Sequence, residues 1–169
     1  MIRKLHHSAY RCRDSEETRR FYEDFLGLTL AHTLHITQTQ TGRGTAVLHT
    51  FYQLADGSFL AFFEAPDMPF EFKSQHDFDL HLALEVDEKD LGLMLQQGRA
   101  RGIRTRGISD HGMIRSVYFE DPNGYVVELA AKQPIHAASM DPALNGARTE
   151  LRRWQRMKQQ ACARRMSGT

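Results

Sequence analysis

Cysteine is nearly absent from this chain of 169 residues: only Cys12 and Cys162 occur, far apart and in no zinc-ligand spacing. That excludes a disulfide framework and fits the reduced thiols expected of a cytoplasmic protein. An excess of charge of one sign is also missing, since 22 Lys and Arg stand against 21 Asp and Glu, for a formal net charge of +1. Nucleic-acid binding is therefore not expected as the main role, because phosphate recognition needs a concentrated basic surface. No apolar run approaches the roughly 20 residues of a membrane span, and no apolar N-terminal stretch has signal length, so no membrane partner is expected. A chain of this length is most simply one domain, able to bury about two-thirds of its unfolded surface.

What the chain does contain is a repeat. His7, in LHHSAYRCRD, precedes a predicted helix ending at Gly27, twenty residues on; His81, in LHLALEVDEKD, precedes another ending near Gly102, twenty-one residues on. Each copy closes with a glycine turn feeding an apolar strand, Asp56-Gly57 in the first and Asn123-Gly124 in the second. Counting four residues from each glycine pairs Ala61 with Glu128. A fully duplicated site would hold two histidines and two carboxylates, whereas this one holds His7, His81, Glu128 and an alanine. Two imidazoles and one carboxylate on one face of a divalent ion leave the opposite positions open, the arrangement associated with non-haem Fe(II) oxygenases.

Alternate residues on a strand share a face. Leu80, Leu82, Leu84 and Val86 form an apolar face, which turns His81, Ala83 and Glu85 the other way. On the first strand, Leu5, Ala9 and Arg11 share the face of His7, and His6 faces away in a structural role. Phe59 and Phe63 flank Ala61, so two aromatic rings wall the missing-ligand position and suit a planar aromatic ligand. Glu64 is expected to face solvent, and Arg11 either holds an anionic substituent or pairs with Glu85.

The predicted fold class is α+β: two βαβββ modules, about 4–65 and 77–131, forming a cupped mixed sheet around a metal site in a domain of residues 1–131. In the first module a strand over about 4–13 leads to Asp14 as a helix cap, with Glu17 completing a box-like pattern. Strands follow near 28–37, 44–55 and 58–65. A connector with Pro66 and Pro69 carries FEFKSQHDF, a segment able to fold over the cup as a lid. In the second helix Gly92 and Gly98 each cost about 1 kcal/mol against alanine. Residues 132–169 form a C-terminal extension with a basic helix, whose Leu151, Trp154 and Met157 are expected to dock on the domain or on a second subunit.

The segment SDHGMIRSVYFEDPNGYVVE, together with the spacing of His7, Asp14 and FYEDFLGL, resembles the vicinal oxygen chelate superfamily of glyoxalases, bleomycin-resistance proteins and dioxygenases. Within it the segment is most similar to the signature of one-domain type I extradiol dioxygenases, carried here by His111, Val117, Tyr118, Asp121, Pro122, Gly124 and Glu128, with Ser109 where a Gly-type residue is usual. The resemblance implies His7, His81 and Glu128 as ligands of Fe(II), with Mn(II) or another divalent metal as the alternative. It implies Tyr118 as donor to a substrate oxygen and His111 as a supporting hydrogen-bonding residue. No position matches the acid-base histidine of the larger enzymes, and His49 is the candidate for it. The expected substrates are a small aromatic compound of catechol type and O2, held against Phe59, Phe63 and Arg11. A homodimer is the expected assembly, its cups closed within one chain or by exchange of modules between two. The alternatives are a Lewis-acid enzyme of the same superfamily, such as a thiol transferase, glyoxalase or epimerase, and a non-catalytic binder of aromatic drugs or metabolites.

Overall fold

The computed structural model describes residues 1–72, 76, 78 and 80–166, with the side chains of 163–166 excepted. Strand β1 (His7–Arg11) leads into helix α1 (Ser15–Arg19), which runs on as a π-helical turn over Arg20–Phe25. Asp14 caps α1 as predicted, its Oδ1 accepting the Glu17 N–H at 2.7 Å. The reciprocal bond of a capping box is not made, because the Glu17 carboxylate pairs with Arg13 instead. Glu64 departs from expectation: its Oε2 accepts the Ser15 N–H at 2.7 Å rather than facing solvent. The unpaired N–H groups and positive dipole end of a helix start draw a carboxylate there. The wider π turn buries Phe21, Tyr22 and Phe25 together.

Strands β2 (Thr29–Gln38), β3 (Gly44–Gln53) and β4 (Phe59–Glu64) complete a first sheet in the order β1-β4-β3-β2, with β1 parallel to β4 and the other pairs antiparallel. The second module repeats this with β5 (Leu82–Glu85), α2 (Glu88–Ala100), β6 (Thr105–Asp110), β7 (Ile114–Glu120) and β8 (Val126–Lys132), in the order β5-β8-β7-β6. The fold is thus α+β, with two four-stranded mixed sheets and no closed barrel. Beyond β8 the extension holds two helices, α3 (His136–Met140) and α4 (Ala147–Met166). Leu151, Trp154 and Met157 of α4 are exposed, so this stripe is not docked on its own domain. Of the segment expected to act as a lid, Lys73, Ser74, Gln75 and Asp77 lie outside the described residues. Among the described residues no helix is long and apolar enough to cross a membrane.

One face of each sheet enters a common core. Tyr52, Leu60 and Phe62 from the first sheet join Val117, Phe119, Val127 and Leu129 from the second, with Tyr22, Phe25 and Leu91 between them. A polar clasp binds the modules within this core. The buried Asp121 carboxylate accepts the Tyr22 hydroxyl at 3.0 Å, the N–H groups of Asn123 (2.9 Å) and Tyr125 (2.8 Å), and Asn123 Nδ2 (3.0 Å). Asn123 Oδ1 in turn accepts the Arg13 N–H at 2.9 Å, and the Tyr125 hydroxyl donates to the Arg11 carbonyl at 3.0 Å. The Asp-Pro-Asn-Gly turn is therefore more than a hairpin, since it ties the second module to the first. Cys12 lies in the same core, its thiol pushed up to about 11 by burial, and Cys162 is exposed.

The two α2 glycines differ in what they face. A Cβ on Gly98 would lie 2.6 Å from Phe119 Cε1 and 2.7 Å from Thr105 Cγ2, whereas at Gly92 nothing lies within 4 Å. Gly98→Ala is expected to destabilise the fold by about 1–3 kcal/mol through overpacking, despite its better helix propensity. Gly92→Ala should instead stabilise by up to about 1 kcal/mol. Urea unfolding of both variants checks the contrast, and equal shifts would contradict it.

Candidate metal centre

Strand register carries the repeat into three dimensions. Ala9, two residues past His7, lies opposite Ala61 on β4; Ala83, two residues past His81, lies opposite Glu128 on β8. Ala61 and Glu128 therefore hold the same place in the two modules, as the count from the glycine turns predicts.

In the second module, β7 runs antiparallel to β8 with Tyr118 opposite Glu128 and Ser116 opposite Ala130, so 116, 118 and 128 share a face. Glu128 is only 4% exposed. Its Oε2 stands 3.2 Å from His81 Nε2, while its Oε1 accepts from Ser116 Oγ and, at 3.3 Å, from the Tyr118 hydroxyl. His111 arrives from the β6–β7 hairpin, where Gly112 takes a positive φ of 77°, and its Nε2 lies 2.9 Å from the Tyr118 hydroxyl. The Arg106 guanidinium lies over the Tyr118 ring at 4.1 Å. Burial, and then the charge of Glu128, raises the Tyr118 pKa and keeps the phenol a donor.

The donor chemistry of this half fits a divalent ion. Two ligands at right angles with bonds of about 2.1 Å stand about 3.0 Å apart, and the His81–Glu128 separation of 3.2 Å is close to that. His81 and Glu128 could hold such an ion together, and its oxygenase or Lewis-acid chemistry would depend on the positions left open.

In the first module, His7 meets the rings of Phe51 at 5.7 Å and His49 at 6.3 Å, and His49 stacks on Phe63 at 3.6 Å. Phe59 stands farther along the wall, 6.2 Å from Phe51. His6 does not simply turn away: its Nδ1 is 2.8 Å from His7 Nδ1, which leaves Nε2 of His7 for an outside partner. His49 Nε2 is buried without a hydrogen-bond partner, and burial, followed by the nearby His7 and His32, lowers its pKa. The Arg11 guanidinium donates to the carbonyls of Met68 at 3.4 Å and Ala65 at 3.5 Å. Glu85 pairs with Lys132 at 2.7 Å, so the alternative pairing with Arg11 is not formed.

His81, Glu128, Tyr118 and His111 are thus brought together, as are His7, His49 and Phe63. The two groups do not merge within one chain: among the described residues no three His, Cys, Asp or Glu side chains gather into a metal-holding group. Both groups occupy the sheet faces opposite the shared core. Ser116 and Phe51 are site residues that the sequence reading missed. Each lies two positions from a residue already singled out, Tyr118 and His49, so the strand period was the signal that could have found them.

The sequence matches the family described as the Glyoxalase/Bleomycin resistance protein/Dioxygenase superfamily over residues 4–129. The uncharacterized protein YaeR of Escherichia coli (strain K12) is 26% identical over 128 residues, covering 76% of this chain and 95% of its own. Among solved structures, the glyoxylase/bleomycin resistance protein/dioxygenase domain from Frankia sp. EAN1pec aligns with a TM-score of 0.63 at 16% identity, covering 81% of this chain and 98% of that one. The fosfomycin resistance protein FosX from Listeria monocytogenes, crystallised with Mn(II) and a sulfate ion, aligns with a TM-score of 0.58 at 19% identity, covering 81% and 98%. These structural likenesses are likenesses of fold. Because the family match spans most of the chain and the two modules repeat one βαβββ plan, the protein belongs to the Glyoxalase/Bleomycin resistance protein/Dioxygenase superfamily.

Proposed function

We propose that the protein is a divalent-metal-dependent enzyme in which His7, His81 and Glu128 hold the ion, and that it opens a catechol-like ring with O2. The observation that carries this reading is Ala61, buried in the place that Glu128 holds in the other module. One carboxylate of a four-ligand set is missing, and Phe51, Phe63 and His49 stand around that position. When bound, Fe(II), or Mn(II) as the alternative, would supply a Lewis-acidic centre with positions open to two vicinal substrate oxygens and to O2.

This chain's own residues would then bind and orient the substrate. Phe51 and Phe63 offer faces for an aromatic ring, with Phe59 at the edge. Tyr118, backed by His111, is a protonated donor for a substrate oxygen, and fixed donors in a cup shielded from water stabilise developing charge there. The unpartnered Nε2 of His49 can take a proton from a substrate hydroxyl. Arg11 would reach an anionic ring substituent only by releasing the carbonyls of Ala65 and Met68.

The separation of His7 from the His81–Glu128 pair supports a homodimer in which each site takes His7 from one copy and the other two ligands from its partner copy. His7→Ala and Glu128→Gln should each abolish tight metal binding alone. Refolded together in equal amounts, they should regain about a quarter of wild-type metal content, because mixed dimers carry one intact site. No recovery on mixing would rule out a site shared between chains.

A Lewis-acid reaction without O2 is the second reading, favoured by the Tyr118 hydroxyl, which bonds the Glu128 carboxylate rather than the open cup. Ala61→Glu separates the two readings. An added carboxylate would fill a position needed by catechol or O2, so metal should stay bound while oxygen uptake with catechol falls about tenfold or more. Undiminished uptake with metal bound would show that the vacancy at 61 is not what makes the site an oxygenase.

A further inference from the structure

The two oxygens of Glu128 are not equivalent. Oε2 faces His81 Nε2 at 3.2 Å, whereas Oε1 is turned into β7, where Ser116 Oγ donates to it and the Tyr118 hydroxyl lies 3.3 Å away. Ser116 is fully buried at 0% exposure, and its strand partner is the small Ala130, so the hydroxyl is enclosed beside the carboxylate.

We propose that Ser116 is a positioning residue that pins Oε1 and makes Glu128 a one-oxygen ligand. The proposal rests on the metal reading above and deepens it. A carboxylate can bind a metal ion through one oxygen or through both. The second oxygen would occupy a position that a substrate oxygen or O2 needs, so the number of open positions depends on how this side chain is held. An O–H donor on Oε1 ties up that oxygen and resists the roll of the carboxylate that would present both oxygens at once. The two donors divide the task. Tyr118 stands 3.3 Å from Oε1 and also contacts His111 at 2.9 Å, which leaves it able to turn towards substrate. Ser116 stays with the carboxylate.

The same logic explains why one vacancy is not enough. Ala61 removes a ligand from the first module, but a Glu128 free to bind through both oxygens would refill the position that Ala61 leaves open. Ala61 and Ser116 together keep the set at three donor atoms.

Mn(II) added to the full-length protein is the probe. Water-proton relaxation reports how much Mn(II) binds and how many exchangeable waters each bound ion keeps. Three donor atoms on six-coordinate Mn(II) leave about three waters, so release of Oε1 in Ser116→Ala should lower the relaxivity per bound ion by about a third, with affinity equal or tighter. Ser116→Thr, which keeps the hydroxyl, should return the wild-type value. Tyr118→Phe should leave relaxivity unchanged, and a fall there in place of Ser116→Ala would transfer the pinning to Tyr118 and overturn the proposal. Equal relaxivity per bound ion in wild type and Ser116→Ala overturns it while the metal reading stands. A wild-type protein that binds neither Mn(II) nor, without oxygen, Fe(II) overturns both.

Discussion

A single buried carboxylate, Asp121, decides how the two halves of the molecule meet. Burial raises its pKa, which shows how poorly the charged form would fare there without partners. Its donors come from both modules, Tyr22 from the first and Asn123 and Tyr125 from the second. Parting the modules would take the Tyr22 donor from this carboxylate, a loss of about 1–3 kcal/mol for a buried group, so the clasp favours this one orientation. The orientation has a geometric result. Because the apolar face of each sheet enters the shared core, the faces bearing His7 and Glu128 are both turned away from it.

Much of this was legible in the sequence because strands reveal their faces by alternation. The equivalence of Ala61 and Glu128 and the turning of His81 away from the core both follow from short spacings, counted from a glycine turn or along one strand. The hidden features depend on relations between elements distant in sequence. Glu64 caps α1 because the end of β4 lies beside the start of that helix, a neighbourhood that no local pattern encodes. Arg11 is held by carbonyls at the start of the connector for the same reason. Strand parity shows which side chains share a face. It does not show which faces of two sheets will be joined, so the separation of His7 from Glu128 was out of reach.

The aromatic content of the cup is another consequence of β3 and β4 lying side by side. Phe51 lies opposite Ala61, and His49 lies opposite Phe63, so the small residue is ringed by large flat ones. The alanine in this setting is wholly buried among apolar walls, while the second module supplies carboxylate, phenol and imidazole. One half thus presents aromatic side chains around the alanine, and the other presents hydrogen-bonding and ionisable groups.

The protein has one tryptophan, and it is in neither half. Trp154 lies on α4, 54% exposed, while the cups are lined by phenylalanine, tyrosine and histidine. Indole emission therefore reports on the C-terminal extension. It has the colour of a wetted ring while that helix is uncovered and moves to the blue when apolar surface closes over it. The same light has no local source in either cup, which gives the extension an optical signature of its own.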